Sequence, residues 1–390
     1  MLETSMSFIW KLFQFYIGFN LVMPILLLAI YFIKGKKKKN LSNLNINEAD
    51  YAIIVTAYEQ TGLLQGVVKS ILQLNYSNYL IYIVADKCDI SGLFFDDERV
   101  ILLRPENTLA SNTRSHFYAI SNFKRPHDRL TIIDSDNLVH PEYLNELNKF
   151  FDQGFIAVQG LRAAKNINTL YSALDAARDI YYHFYDGKLL FSVGSSATLA
   201  GSGMAFTVKL YKECLAHLDI VGAGFDKILQ KQIVHQGCQI AFAENAIVYD
   251  EKTAHSDQLI NQRARWINTW FKYFNFGFSL FAKGMVKFSW NQLLFGLVLL
   301  RPPLFIFILL SIGCLIINLF FNPFIAILWF CAILLFVIGF LLSLILSNTD
   351  PKIYKSLWGI PKFIYFQLLS LMQVRNANKR SVATKHNQDT

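Results

Sequence analysis

The chain has 390 residues, 53% of them hydrophobic and only 17% charged, with mean hydropathy +0.32. That composition excludes a disordered chain, a collagen-like repeat and a charged coiled coil, and it is out of keeping with an ordinary soluble enzyme. The net charge of +9 is uneven: residues 51–270 are net −3, and the apolar flanks carry the positive excess. Basic residues flanking apolar runs suit a membrane surface rather than a nucleic-acid groove, and no nucleic-acid partner is expected. The five cysteines form no CxxC pair. A disulfide framework or a zinc site is therefore not expected, and the soluble part is read as facing a reducing cytoplasm.

The first predicted element is a membrane span. Leu12–Ile33 is 22 residues without a charge, enough to cross a hydrocarbon layer of roughly 30 Å. It ends in Lys34 and the run Lys36–Lys39, a basic flank that places this end in the cytoplasm.

Residues 51–270 then alternate strand-like and helix-like patterns. Strands are predicted at Ala52–Ala57, Leu80–Ala85, Val100–Leu103 and Arg129–Ile133, with helices at Gly62–Leu74, Ser111–Ser121 and Pro141–Phe151. Continuous apolar strands separated by helices read as a parallel sheet covered on both faces. Ligands of such sheets bind at the carboxyl ends of strands. Those ends carry Thr56, Tyr58 and Glu59, then Asp86, then Asp134 and Asp136. Clustered carboxylates call for a hard cation between them. No Gly-x-Gly-x-x-Gly and no P-loop follows any strand, which argues against a dinucleotide oxidoreductase and an ATPase.

Further on, Trp266–Trp290 and Ile353–Val374 mix aromatics with lysines, as helices lying in the headgroup plane do. Between them, Pro302–Thr349 holds 48 residues without a charge. Asn322-Pro323 divides this stretch into two spans, Leu304–Phe321 and Phe324–Leu346. Arg301, just ahead, either snorkels or lines a polar path. The basic tail, from Lys352 and Lys355 to Lys379, Arg380 and Lys385, then falls on the same side as the Lys36–Lys39 run.

The ordered series Val55-Thr56-Ala57-Tyr58-Glu59, Ala85-Asp86-Lys87-Cys88-Asp89, Ile133-Asp134-Ser135-Asp136-Asn137, Gln159-Gly160, Gly201-Ser202-Gly203-Met204, Gly224-Phe225-Asp226-Lys227 and Gln262-Arg263-Ala264-Arg265-Trp266 resembles the membrane-bound inverting glycosyltransferases of family two, relatives of cellulose, chitin and hyaluronan synthases. The resemblance implies a GT-A nucleotide-sugar-binding domain with a Rossmann-like mixed sheet. It implies a nucleotide pocket of Thr56, Tyr58, Glu59 and Asp86, and Mg²⁺ or Mn²⁺ on Asp134 and Asp136. Asp226 would be the general base, Gln262 and Arg265 would grip the diphosphate, and Trp266 would stack on the acceptor. Gly201 and Gly203 would let the backbone approach the substrates. Arg263 and Arg265 also suit lipid phosphates, and Asp226 also suits a helix N-terminus. The acidic neighbour that many relatives carry before the base is Phe225 here, and Arg114 stands where a basic loop residue often occurs.

The expected organisation is an anchor at 1–35, a basic linker at 36–50, a cytoplasmic catalytic domain at 51–270, interfacial helices at 271–301, two spans at 302–348 and an interfacial helix with a basic tail at 349–390. The expected function is transfer of a sugar, from a UDP-sugar as the favoured donor, onto a saccharide, giving a beta-linked polysaccharide or oligosaccharide at the inner (plasma) membrane. The alternatives are a lipid acceptor, or an inactive subunit of a polysaccharide export complex. Membrane lipids are expected partners, and an export partner or a homo-oligomer stays open.

Overall fold

The computed structural model describes residues 2–34, 48–253, 256–375 and 377. The Lys36–Lys39 run, His255, Lys379, Arg380 and Lys385 lie outside those residues.

Helix α1 (Leu2–Lys34) opens the chain. The α/β part follows as β1 (Tyr51–Tyr58), α2 (Leu64–Leu72), β2 (Tyr79–Asp86), β3 (Val100–Leu103), α3 (Asn112–Ser121), β4 (Arg129–Asp134), β5 (Leu138–Val139), α4 (Tyr143–Phe151) and β6 (Ala157–Ala164). It continues with α5 (Leu170–Tyr182), a π-helical segment (His183–Leu189), α6 (Leu190–Ser192), β7 (Met204–Thr207), α7 (Val208–Leu215), α8 (Phe225–His235), β8 (Ala241–Asp250) and α9 (Ser256–Tyr273). Last come α10 (Phe276–Val286), α11 (Trp290–Leu300), α12 (Leu304–Phe321), α13 (Pro323–Leu346), α14 (Pro351–Ser356) and α15 (Ile360–Met372).

The strands form one sheet in the order β3-β2-β1-β4-β7-β6-β8-β5. Its first four strands are parallel, as their continuous apolar runs predict. The other half is mixed. β7 runs antiparallel to β4 and β6, β6 and β8 are parallel with a register break between Gly160 and Leu161, and β5 pairs antiparallel with β8. Because side chains alternate across a strand, each strand feeds two cores. Ile53, Val55, Ile81 and Ile83 pack under α2 and α4. Ile54, Tyr82, Val84 and Ile132 face α3, α7 and α8. Each such buried side chain contributes about 1.5–3 kcal/mol.

That second core also takes Met23 and Leu27 of α1 and Leu280, Leu294 and Phe295 of α10 and α11. The apolar helices thus share a core with the α/β half. Among the described residues, three helices are long and apolar enough to cross a membrane: Ser7–Lys34, Leu304–Phe321 and Pro323–Leu346. Between the last two, Asn322 caps α13 by accepting from the Ile325 N–H, and Pro323 sits in the first turn, where it loses no hydrogen bond. Gln14 Oε1 ties the three together, accepting from Asn318 Nδ2 at 2.6 Å and Trp329 Nε1 at 2.8 Å. Lys34 Nζ donates to the Val193 carbonyl at 3.1 Å, and Tyr185 Oη donates to the Gly339 carbonyl at 2.8 Å. The same ends of α1 and α13 therefore meet the α/β half.

Two sequence expectations change. Trp266–Trp290 is not one continuous helix. Its first part completes α9, which packs on α15, and the rest folds back as the α10–α11 hairpin. Glycines make that hairpin close: a Cβ on Gly296 would stand 2.6 Å from the Phe281 nitrogen. Arg301 neither snorkels nor lines an open path. It is buried and paired with Asp186 of the π-helical segment.

Candidate active site

The sheet register sets the site. Thr56 at the end of β1 is level with Asp134 of β4, and Tyr58 is level with Asp86 of β2. Three neighbouring parallel strands therefore present Thr56, Tyr58, Asp86 and Asp134 along one carboxyl edge.

A turn from the other half of the chain closes on this edge. Ser202 Oγ accepts from the Asp134 N–H at 3.0 Å. Asn137, with its amide oxygen accepting from Ser202 Oγ at 2.8 Å, donates to Asp136 Oδ1 at 2.8 Å and reaches Asp250 Oδ1 at 3.3 Å. The turn depends on its glycines. Gly201 and Gly203 have φ of 88° and 66°, the left-handed region that side chains resist. A Cβ on Gly203 would also stand 2.9 Å from Val248 Cγ2.

Asp134 carries a strong electrostatic signature. Loss of hydration, then Asp136, Asp250 and Asp226, push its carboxyl up to about 7, while Arg162 opposes them. Asp226, nearly a hundred residues on, is therefore within electrostatic reach of the Asp134–Asp136 pair. It sits in the first turn of α8, whose N-cap Gly224 has φ of 101°. Lys227 Nζ lies 3.0 Å from its carboxylate and donates to the Leu199 carbonyl at 3.1 Å.

The residues expected to hold the nucleotide divide. Buried Asp86 takes the N–H groups of Leu109 at 2.9 Å and Ala110 at 2.8 Å, so its carboxylate fixes that loop. Glu59 is exposed and paired with Lys87 Nζ at 2.7 Å. Arg114 is engaged by Asp219 at 2.7 Å.

The motif on α9 divides as well. Gln262 Oε1 accepts from Thr253 Oγ1 at 3.1 Å. Arg265 is half-buried, and its guanidinium meets no carboxylate or hydrogen-bond partner among the described residues. Burial alone lowers its pKa. Trp266 has the guanidiniums of Arg263 and Arg178 over its ring, at 4.2 and 4.4 Å. Its partners here are cations, not open space.

Sequence reasoning missed what connects these parts. Arg263, 1% exposed, pairs with Asp175. Arg178 meets Asp175 at 3.4 Å and Asp179 at 2.5 Å. Lys252 bridges Asp179 to Asp250, the latter at 2.6 Å, and Arg162 pairs with Asp250 at 2.7 Å. A continuous chain of ion pairs thus runs from α9 to the Asp134 cluster. Asp175, Arg178 and Asp179 at three- and four-residue spacing on an amphipathic helix read as a solvated face. No local signal marks them as buried.

Among the described residues, no three His, Cys, Asp or Glu side chains form a ready cage for a metal ion. The Asp134–Asp136 pair still suits one. A magnesium-like ion is held by one or two carboxylates, with substrate phosphates and water supplying the other ligands. Burial first, and then repulsion from Asp136, raises the Asp134 pKa, and a cation would relieve that repulsion.

No curated protein matches the chain. Among solved structures, it resembles a mannosyltransferase from Pyrobaculum calidifontis, PcManGT, determined in complex with GDP-Man and Mn²⁺. Identity is 12%, the TM-score is 0.51, and the match covers 92% of this chain and 98% of that one. This likeness shows a shared GT-A-like fold. S. aureus TarS 1–349, in complex with UDP-GlcNAc, matches at 14% identity and a TM-score of 0.37, over 53% of this chain and 59% of that one. The model of the glycosyltransferase-like family 2 matches residues 49–269, more than half of the chain, and the protein belongs to that family.

Proposed function

We propose that the protein is a membrane-anchored, inverting, metal-dependent glycosyltransferase that moves a sugar from a nucleotide sugar, with UDP-sugars favoured, onto a saccharide acceptor to give a beta linkage. The observation that carries this reading is that Asp136 and Asp226 both help raise the pKa of Asp134, whose strand end lies at the carboxyl edge of the sheet. In this reading Asp226 takes the proton of an acceptor hydroxyl as that oxygen attacks the anomeric carbon. The bond from the anomeric carbon to the diphosphate breaks on the opposite side, so one displacement inverts the configuration. Asp134 and Asp136 would hold Mg²⁺ or Mn²⁺, which would supply charge neutralisation for the departing diphosphate. Arg265, without an ionic partner among the described residues, supplies further positive charge through its fork of donors. Thr56, Tyr58 and the loop fixed by Asp86 border the nucleotide. Gly201 leaves open space where a Cβ would stand, which suits close approach of a substrate. Gln262 assists at the diphosphate, and Trp266, with its paired guanidiniums, faces the acceptor side.

The organisation proposed from sequence goes with it: an anchor, a cytoplasmic catalytic domain and two further spans in the plasma membrane. Attachment of α1 and α13 to the catalytic half at the same helix ends supports this orientation. A lipid acceptor is the second reading. It is favoured by Phe288 at 95% exposure, in the turn between α10 and α11, and Trp358 at 93%, in the short 3-10 turn between α14 and α15.

The test is release of nucleoside diphosphate from a panel of nucleotide sugars by protein in detergent, with and without Mn²⁺, followed by the mass of the product. Metal-dependent release that Asp226→Asn abolishes, with donor binding retained, is expected. Wild-type turnover in Asp226→Asn would overturn the assigned base. One sugar on a lipid, rather than an elongated saccharide, would select the second reading.

A further inference from the structure

A cavity of about 370 Å³ lies along the carboxyl-end half of β6, where that strand, the π-helical segment and the end of α13 meet. Its size falls in the roughly 300–1,000 Å³ range of small-molecule sites. None of Asp134, Asp136, Asp226, Gln262, Arg265 and Trp266 lines it. Its lining is therefore separate from those residues but adjoins them, and Arg162 links the two. Arg162 pairs with Asp250 beside the carboxylate cluster and also forms part of the cavity wall.

The wall has the chemistry of a saccharide site. Leu161, Ala163, Phe184, Phe242 and Ile353 supply apolar and aromatic surface on which the C–H face of a sugar ring can rest. Its cations are already matched. Lys188 pairs with Glu244 at 2.6 Å, Lys252 with Asp179 and Asp250, and the Asp350 carboxylate accepts from the Lys352 N–H at 2.7 Å. An anion entering here would find no unpaired cation and would meet three carboxylates. Polar groups without partners remain. Arg162 Nε and Thr349 Oγ1 are buried without a hydrogen bond, and the His183 ring makes none among the described residues. Burial lowers the His183 pKa to about 4, so its ring is neutral and offers one donor and one acceptor.

The backbone is specialised here too. The π-helix is rare and frequent at functional sites. Its five-residue repeat brings His183 and Lys188 onto one face, and both line the cavity. At the ordinary helical repeat they would diverge.

We propose that this cavity is a second carbohydrate site, which holds a neutral sugar unit of the acceptor or product glycan away from the reacting end. That its occupant is a saccharide rests on the transferase reading. Paired charges, stacking surface and unpartnered donors and acceptors select a neutral polyol over a phosphate. The wall contributed by Ser347 to Asp350 sets the site at the end of a span, beside the membrane surface.

The test uses the full-length protein in detergent, titrated by calorimetry with cellotetraose, chitotetraose and mannotetraose, and separately with nucleoside diphosphate plus Mn²⁺. Ala163→Phe fills the cavity, and Lys188→Met opens its rim at a partly exposed pair. At least one tetrasaccharide is expected to bind, tenfold or more weaker in A163F and about threefold weaker in K188M, with nucleotide affinity unchanged. If A163F fails to fold, K188M decides. No tetrasaccharide binding to a protein that binds nucleotide would overturn the proposal, and so would equal binding by wild type and variants. Displacement of the sugar by inorganic phosphate or by anionic vesicles would overturn it in favour of an anion site. Cavity-dependent sugar binding without any nucleotide binding would sink the transferase reading and leave the carbohydrate site standing.

Discussion

The turn Gly201-Ser202-Gly203 offers a test in which two chemically identical substitutions should behave differently. Gly203 has φ of 66°, donates its N–H to the Ile132 carbonyl at 2.9 Å and accepts from the Gly160 N–H at 2.8 Å, so its backbone is held from both sides. Gly203→Ala forces a side chain into the left-handed region, at about 1–2 kcal/mol. It also drives the new methyl to 2.9 Å from Val248 Cγ2, and overpacking of that kind costs about 1–3 kcal/mol. The sum is a loss of about 2–5 kcal/mol. Gly201→Ala meets nothing within 4 Å, so only the backbone cost of about 1–2 kcal/mol remains. Unfolding of both variants in detergent, followed by near-ultraviolet circular dichroism, measures the difference. Val248→Ala should remove the contact and recover about 1–3 kcal/mol of the Gly203→Ala loss in a double-mutant cycle, leaving the backbone part. Because Ser202 holds both Asp134 and Asn137, G203A should also weaken Mn²⁺ binding. Equal losses in the two glycine variants, or no coupling to Val248, would refute the reasoning.

Arg263→Met leaves the buried Asp175 carboxylate short of its guanidinium and should cost about 3–5 kcal/mol. Adding Asp175→Leu should recover part of that, read by denaturant unfolding. Arg265→Ala breaks no ion pair among the described residues, so stability should hold while affinity for nucleoside diphosphate falls. A charged hydrogen bond of about 1.5–3 kcal/mol predicts a loss of roughly 10- to 150-fold by calorimetry. The raised Asp134 pKa sets a pH dependence. Metal-free protein should lose stability as pH rises from about 4, the ordinary carboxylate value, through about 7. Mn²⁺ must displace the Asp134 proton at low pH, so its binding should weaken below pH 7 and level off above it. The melting-temperature gain from Mn²⁺ at pH 6 and pH 8 checks both signs.

The parts of the fold legible in sequence are those where burial is uniform. Strands β1, β2 and β4 are covered on both faces, and their unbroken apolar runs locate them within a residue or so. The helices long and apolar enough to cross a membrane are legible for a different reason, their long runs without a charge. The mixed half of the sheet is harder. β8 carries Glu244-Asn245 inside the strand, at the place where its register with β6 breaks, so its alternation fails where a pattern reader needs it. The carboxylates at strand ends were legible because topology, not packing, puts them there. The ion-pair chain was not, because Asp175, Arg178, Asp179 and Arg263 are polar side chains packed against one another. Only their tertiary partners distinguish them from a solvated helix face. Arg263 illustrates the limit: the same guanidinium that suits a lipid phosphate in sequence is enclosed by Asp175, Trp266 and Phe363 in the fold.

The account rests on Asp134 and Asp136 sharing one cation with a substrate diphosphate. Electron paramagnetic resonance of Mn²⁺ titrated into the protein with UDP, with ³¹P relaxation read on the same samples, tests that directly. One bound Mn²⁺ that broadens both phosphate signals is predicted, with tenfold or weaker binding in Asp136→Asn. Mn²⁺ that binds D136N as tightly as wild type, or that leaves the phosphates unbroadened, would contradict it.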